Sequence, residues 1–220
     1  DIRSPLSAIQ GYCEILEEGI YGPINDKQRE ALGRVRMSGR HLLSLFDNVM
    51  DMARLNAGVV KTRAERVALM QVARDAVDIM TPASAARLQS LELSGVTSAA
   101  ASGDTGRVRQ VLVNLIGNAV KFTPPGGSIA VVVAERRIDD GGWGEIRVSD
   151  SGPGIAESEQ AAIFKPYYRS DGTALIPGVG LGLAISQGLV RQMHGELTLE
   201  SEVGVGSSFT LRLPGLVATR

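Results

Sequence analysis

The fold of this chain is decided by the stretch Asn114-Leu115-Ile116-Gly117-Asn118-Ala119-Val120-Lys121-Phe122. Asn114 and Asn118 are four residues apart and Lys121 follows three later, so the three side chains project from one face of a predicted helix. An amide oxygen is a suitable hard ligand for Mg²⁺, which keeps waters and phosphate oxygens as its other ligands. The helix therefore offers a metal ligand and a cation on the same face.

Two glycine-containing blocks follow in order, Asp150-Ser151-Gly152-Pro153-Gly154-Ile155 and Gly178-Val179-Gly180-Leu181-Gly182-Leu183. The first supplies a carboxylate for a base, and the second supplies glycines that let backbone amides close on phosphates. Each block alone has an ordinary explanation. Asparagine in an apolar helix is more often a cap or a buried bridge, and the second block fits the dinucleotide-binding spacing G-x-G-x-x-G poorly. The three blocks in this order favour a site for a magnesium nucleotide.

Composition limits the classes of function. The chain has 220 residues, enough for two domains, and its 23 basic and 24 acidic side chains give a net charge of −1. This balance argues against a nucleic-acid surface and a polybasic membrane anchor. The single cysteine, Cys13, fits a reducing compartment, and no apolar run reaches the ~18 residues of a membrane span. We expect a cytoplasmic fragment without nucleic-acid or membrane contact, although its parent protein could be anchored by other segments.

Residues 1–60 have the pattern of a helical hairpin. Apolar residues recur at spacings of three and four in the first helix, glycines and Pro23 interrupt the pattern, and a second helix begins with Asp26 as its predicted N-cap. The apolar stripe is too long for two helices to bury against each other. We therefore predict a homodimer in which two hairpins form a four-helix bundle.

Residues 61–66 are predicted to be a linker, and residues 67–216 a second domain. A helix is expected from residue 68 to 80, ended by Pro82, and residues 97–102 read as a surface loop. Asp104 is the predicted N-cap of the asparagine helix, and residues 141–144 read as the turn between two strands. The predicted fold class is thus a helical hairpin followed by an α/β sandwich with a mixed sheet and helices on one face.

The three blocks resemble the N, G1 and G2 boxes of the ATP-binding domain of sensor histidine kinases, within the Bergerat-fold or GHKL ATPases. The resemblance implies that Asp150 accepts a hydrogen bond from the adenine amine and that Asn118 is the Mg²⁺ ligand. It implies that Asn114 lies beside the metal or phosphates, Lys121 on the phosphates, and Phe122 against the purine or the lid. The glycines and their neighbour implied at the nucleotide are Gly152, Gly154, Gly178, Gly180, Leu181 and Gly182.

The segment Ile163-Phe164-Lys165-Pro166-Tyr167-Tyr168-Arg169 is similar to the F-box of the same family, except for Pro166. The resemblance implies a nucleotide contact for Tyr168 and places Arg169 at the γ-phosphate. Residues 155–177 would be the lid over the nucleotide, rich in glycine and serine and short of apolar anchors.

Asp1-Ile2-Arg3-Ser4-Pro5-Leu6 resembles the H-box of the commonest histidine kinase class. The resemblance implies that the phosphoacceptor histidine directly precedes Asp1, and that Asp1 hydrogen-bonds its other ring nitrogen. Ser4 would orient water for dephosphorylation of a receiver. His41 and His194 have no acidic residue next to them and are not the expected acceptor.

The resemblance therefore predicts a protein-histidine kinase core that uses ATP and Mg²⁺ and passes its phosphoryl group to an aspartate of a response regulator receiver domain. Two alternatives remain. A chaperone- or topoisomerase-type ATPase of the same superfamily would lack the hairpin and would have a carboxylate base where Gly117 stands. A degenerate kinase that acts as a dimeric nucleotide- or partner-binding scaffold would lead if no histidine precedes Asp1.

Overall fold

The computed structural model describes residues 2–59, 62–138, 141–169 and 179–216, apart from the side chains of Arg3, His41, Arg137 and Ile138. The chain forms two compact units, Asp1–Arg54 and Leu55–Arg220.

The first unit is a helical hairpin of α1 (Arg3–Glu17) and α2 (Asp26–Asn56). The last two residues of α2 lie beyond the end of this unit at Arg54. Arg36 and Glu17 pair at 2.6 Å between the two helices. Asn25 caps α2: its Oδ1 accepts from the Gln28 amide at 2.9 Å, and Gln28 Oε1 accepts from the Asn25 amide at 2.9 Å. This is a capping box, so the prediction of Asp26 as N-cap was wrong by one residue.

The second unit is an α/β sandwich. Its five-stranded sheet has the order β2-β4-β5-β7-β6, with β2 parallel to β4 and the other neighbours antiparallel. A two-stranded sheet pairs β1 with β3. The strands are β1 (Glu65–Ala68), β2 (Ser90–Gly95), β3 (Ala100–Gly103), β4 (Ser128–Ile138), β5 (Gly141–Asp150), β6 (Glu196–Glu202) and β7 (Gly206–Pro214).

The helices of this unit are α3 (Leu69–Ala85), α4 (Thr105–Phe122), α5 (Glu157–Gln160) and α6 (Gly182–Gln192), with a 3₁₀ turn at Ala162–Phe164. The core lies between one face of the larger sheet and the helices α3, α4 and α6. Alternate residues of the strands, such as Ile146 and Val148 on β5, are buried, because successive side chains of a strand point to opposite faces. The predicted fold class is confirmed.

The segment predicted as a surface loop, residues 97–102, instead contains most of β3. Ala101 is fully buried opposite Val67 of β1, and Gly103 lies against Met193 and Leu213. Small residues allow this close packing, although they have little intrinsic preference for strands. β1 begins at Glu65, inside the segment that was predicted as a linker.

Pro82 does not end α3, which continues to Ala85. Proline removes one backbone donor, but its own carbonyl still accepts from the Ala86 amide at 3.1 Å, so the last turn forms. The predicted turn at residues 141–144 was also wrong. Those residues belong to β5, where Trp143 pairs with both Arg136 of β4 and Pro214 of β7.

Candidate nucleotide-binding site

Asp150 lies at the end of β5, between Ile129 of β4 and Ser207 of β7. Its Oδ1 accepts a hydrogen bond from the Gly152 amide at 2.8 Å, which fixes the half-buried carboxylate at the end of the strand. Burial raises the pKa of Asp150 above its ordinary value, and hydrogen bonds from the backbone amides of Gly152 and Ser207 oppose that rise. The carboxylate is therefore partly desolvated and held in a defined orientation.

Three glycines allow the backbone to close around Asp150. A Cβ on Gly152 would stand 2.6 Å from Asp150 Oδ1 and 3.4 Å from the Phe122 carbonyl oxygen. Gly154 has φ +72°, and a Cβ there would collide with the Glu202 carbonyl oxygen. Gly206 has φ +138°, and its Cβ would collide with the Asp150 carbonyl oxygen. A larger residue at any of these positions would move the carboxylate or its surroundings.

The asparagine helix is α4, and Asp104 is its N-cap as predicted, because its Oδ1 accepts from the Arg107 amide at 3.0 Å. Asn114 Nδ2 donates to Ser186 Oγ on α6 at 2.9 Å. A Cβ on Gly182 would collide with Asn114 Oδ1, so the amide oxygen faces the first turn of α6. Asn118 is half-buried one turn further along α4.

Two cations approach each other where α4 ends. Burial lowers the pKa of Lys121, and the positive charge of Arg169 lowers it further. The Lys121 Nζ lies 4.7 Å from the centroid of the Phe122 ring, a cation–π distance. Two neighbouring positive charges are mutually unfavourable, so an anion that binds close to both would be stabilised.

The segment that carries Arg169 contacts the start of α6. The Gly180 carbonyl accepts from the Tyr167 amide at 2.9 Å, and a Cβ on Gly180 (φ +75°) would come within 2.5 Å of the Tyr168 carbonyl oxygen. The Tyr168 hydroxyl donates to Glu159 Oε1 at 2.9 Å. Leu181 is 2% exposed and belongs to the buried core.

Residues 155–169 are better anchored than was predicted for a lid. The Ile155 amide donates to Ser201 Oγ at 2.9 Å, and Gln160 Nε2 donates to the carbonyls of Ile155 and Ser201 at 3.1 and 3.0 Å. The rings of Phe164 and Phe209 pack edge to face with centroids 6.4 Å apart. The predicted lid, residues 155–177, was expected to be short of apolar anchors, and this expectation was wrong for residues 155–169.

Three further predicted site residues are not among those described above. Ser4 is exposed in the first turn of α1, in the first unit. Asp1 and Gly178 lie outside the described residues. Within the described ranges, no three or more His, Cys, Asp or Glu side chains form a group that could hold a metal ion. No helix of that same part of the chain is long and apolar enough to cross a bilayer.

Two supporting residues were not identified from the sequence. Ser186 accepts a hydrogen bond from Asn114 of α4, which lies far from it in the sequence, so no local pattern marks its role. Gly206 permits the close approach of β7 to Asp150, and a glycine in a turn gives no sign of that contact.

The family follows from comparison with known proteins. The family described as "Histidine kinase-, DNA gyrase B-, and HSP90-like ATPase" matches residues 103–216, more than half of the chain. The chain belongs to this family. The family described as "His Kinase A (phospho-acceptor) domain" matches residues 1–58. The chain is therefore a histidine kinase core with an ATP-binding domain, as the sequence resemblance predicted.

Similar proteins are sensor kinases and their structures. The histidine kinase core is 34% identical over 217 residues to the Non-motile and phage-resistance protein of Caulobacter vibrioides, covering 97% of this chain and 26% of that protein. It is 33% identical to Histidine protein kinase DivJ of the same organism, covering 99% and 36%. The crystal structure of full-length ShkA in complex with AMPPNP is 32% identical, with a TM-score of 0.80 over 99% of this chain and 44% of that one. The core spans about a quarter of the length of the first curated relatives.

Proposed function

We propose that the second unit binds Mg-ATP and that its γ-phosphoryl group passes to a histidine directly before Asp1. The observation that carries this proposal is the pair of cations Lys121 and Arg169 at the end of α4, where burial and, to a smaller extent, the positive charge of Arg169 lower the pKa of Lys121. A triphosphate beside this pair would relieve the repulsion. The N-terminus of α6, with Gly178, Gly180, Leu181 and Gly182, would add backbone donors for phosphate oxygens.

The purine would lie at the end of β5. Asp150 would accept a hydrogen bond from the exocyclic amine of adenine, which guanine replaces with a carbonyl. Gly152 and Gly154 let the backbone close around the carboxylate, and Phe122 and Tyr168 would provide contacts beside the base. The same carboxylate would therefore select adenine over guanine.

The donors on α4 fit a magnesium ion that arrives with the nucleotide. Asn118 is half-buried and offers an amide oxygen, and the Asn114 amide oxygen faces the first turn of α6. Mg²⁺ typically takes one or two protein ligands and completes its shell with phosphate oxygens and waters. When bound, the ion would neutralise charge on the transferred phosphoryl group.

The phosphoryl transfer requires mainly positioning and charge neutralisation. A ring nitrogen of the acceptor histidine would form a bond to the γ-phosphorus while the bond from that phosphorus to the leaving oxygen of ADP breaks. Asp1 would hydrogen-bond the other ring nitrogen and stabilise the imidazolium that develops. Arg169 and Lys121 would offset negative charge on the phosphoryl and ADP oxygens. Each role is a proposal that mutation can test.

The test is phosphorylation of a chain that is extended at its N-terminus with a histidine directly before Asp1. We expect ATP-dependent, acid-labile phosphate on this chain and none on a matched extension with glutamine. A Gly182→Ala variant should lose the phosphate, because the new methyl group displaces Asn114 Oδ1. Intact ATP binding without phosphorylation of the histidine would refute the kinase proposal and favour the scaffold alternative.

The receiving partner would be an aspartate of a response regulator receiver domain. Addition of the cognate receiver to the phosphorylated chain should move the phosphate to the receiver, as followed on a gel. A Ser4→Ala chain tests whether Ser4 orients water. Its receiver should keep the phosphate longer than with the unmodified chain, and equal lifetimes would exclude that role.

The hairpin would pair with a second copy of itself. Several large apolar side chains of α1 and α2 are exposed in the single chain, namely Ile9, Tyr12, Val35, Leu42 and Val49. Pairing of two hairpins would remove this surface from water. We expect a dimer by sedimentation velocity and a weakened dimer for Leu42→Glu, with Lys27→Glu as a surface control. A monomeric unmodified chain would contradict the homodimer.

A further inference from the structure

We propose that Gln89, assisted by Arg87, is a positioning residue that fixes the last turn of α4 and thereby holds Lys121 toward the nucleotide phosphates. The proposal rests on the nucleotide site proposed above. The two residues lie in the connection between α3 and β2, outside the sequence motifs that were assigned to the site.

The carbonyl groups of a helix's last turn have no partners within the helix. In α4 these groups are bound from outside. Gln89 Nε2 donates to the carbonyl of Thr123 at 2.7 Å and to that of Val120 at 3.1 Å, with a longer contact of 3.5 Å to Pro124. Arg87 Nη2 donates to the Thr123 carbonyl at 3.2 Å and, more weakly, to that of Lys121 at 3.4 Å.

The backbone fixes where Gln89 can reach. The end of α3 is a Schellman motif: the Leu88 amide donates to the Ala85 carbonyl, and the Gln89 amide donates to the Ser84 carbonyl, each at 3.0 Å. Leu88 adopts the left-handed conformation, with φ +57°, that this motif requires. The turn directs the buried side chain of Gln89 under the end of α4.

The connections that follow the two helices are also joined directly. The Gly126 amide donates to the Arg87 carbonyl at 3.3 Å, and the Ser90 amide donates to the Gly127 carbonyl at 3.0 Å. The end of α4 is therefore bound by both backbone and side chains of one short segment. Its last turn carries Lys121 and Phe122, and the Phe122 carbonyl lies against Gly152 of the adenine side.

Glutamine at this buried position carries a free-energy cost. Gln89 Oε1 and Thr123 Oγ1 are both buried without a hydrogen-bond partner. A buried polar atom without a partner costs free energy, whereas an apolar side chain of similar length would avoid that cost. The Gln89 amide donors offset this cost by binding the Val120 and Thr123 carbonyls, and these hydrogen bonds fix the orientation of the α4 end.

The test compares Gln89→Met, which keeps length and removes both donors, with Gln71→Met on α3. Gln71 is exposed and its amide bonds only Asp75 among the contacts described, so it is a matched control. We measure Kd for Mg-ATP and for adenosine by calorimetry and the unfolding temperature of the full chain. For Gln89→Met we expect roughly tenfold weaker Mg-ATP binding. This change in Kd corresponds to the loss of about one hydrogen bond. Adenosine binding should change little. The unfolding temperature should fall, because the Val120 carbonyl loses its donor from Gln89.

A second measurement follows Lys121 itself. The Lys121 pKa, read by NMR of ¹³C-methylated lysines, should rise when Mg-ATP binds the unmodified chain, and this rise should shrink in Gln89→Met. A purely structural role would weaken adenosine and Mg-ATP binding equally, and that result would overturn the proposal. Unchanged Mg-ATP affinity in both Gln89→Met and Arg87→Met would overturn it as well. Failure of the unmodified chain to bind Mg-ATP would instead refute the proposed nucleotide site.

Discussion

Asp150→Asn is expected to weaken Mg-ATP binding by roughly tenfold to a hundredfold, the range for losing a hydrogen bond to a charged group. The amide can still accept from Gly152, but its other group is then a donor, which meets the donating amine of adenine. Calorimetric titration with Mg-ATP measures the effect. Asp75→Asn on α3, where Asp75 accepts from Gln71, is the matched control and should bind normally. Equal affinities of Asp150→Asn and the unmodified chain would remove the adenine assignment.

The same substitution is expected to stabilise the chain without nucleotide at neutral pH. Burial raises the pKa of Asp150 in the folded state above its unfolded value. The folded state then binds the proton more tightly, so stability falls as pH rises from the unfolded pKa through the folded pKa, and the loss persists at higher pH. Asparagine carries no charge and avoids this loss. Thermal unfolding should therefore give a higher midpoint for Asp150→Asn at neutral pH, and the difference should vanish on acidification.

Acid should also weaken nucleotide binding by the unmodified chain earlier than is usual for an aspartate. The adenine amine requires the ionised carboxylate as acceptor, and the pKa of Asp150 is raised. Affinity should fall as pH decreases through that raised pKa, while Asp150→Asn should show no such step. Parallel pH profiles for the two proteins would contradict the assignment.

Gly206→Ala is expected to destabilise the second unit by roughly 3 kcal/mol, through positive φ and a steric collision together. Its φ is +138°, and a Cβ would collide with the Asp150 carbonyl oxygen. Gly204→Ala is a matched control in the same turn, because its φ is +82° but a Cβ there meets nothing within 4 Å. The control should cost only about 1 kcal/mol, from backbone conformation alone.

The two alanine variants also separate stability from binding. Gly206→Ala must move the end of β5 and should weaken Mg-ATP binding, whereas Gly204→Ala should leave affinity unchanged. Urea unfolding and calorimetry on both variants give the comparison. Equal unfolding free energies for the two variants would mean that β7 and Asp150 can separate without cost, contrary to their close packing.

The elements predicted correctly from the sequence are those with a strong local signal. α4 has a helical period and an N-cap, Asp104, and α2 has a long apolar stripe that ends at a glycine. β3 could not be predicted in this way. Its residues are alanine, serine and glycine, and it exists because β1, more than thirty residues earlier, pairs with it. The prediction that Pro82 ends α3 was wrong because one missing backbone donor in the last turn of a helix costs little stability.

Site residues with a distinctive side chain in a recognisable motif could be predicted from the sequence, whereas residues that act through packing could not. Asp150 stands in a glycine-containing block that marks it in the sequence, and the structure places it at the end of β5. Ser186 and Gly206 gain their roles from contacts with Asn114 and Asp150, which are distant in sequence. No local pattern distinguishes such residues from an ordinary helical serine or a turn glycine.

The order of strands has a consequence for how the kinase core matures. β7 is the last strand described, yet it occupies an interior place in the sheet, between β5 and β6. A nascent chain therefore leaves β5 with an unpaired edge until β7 has emerged from the ribosome, and pairing across such sequence distances is slow. Competence to bind nucleotide would thus arise only after β7 has paired, and a chain truncated before β7 should not bind ATP.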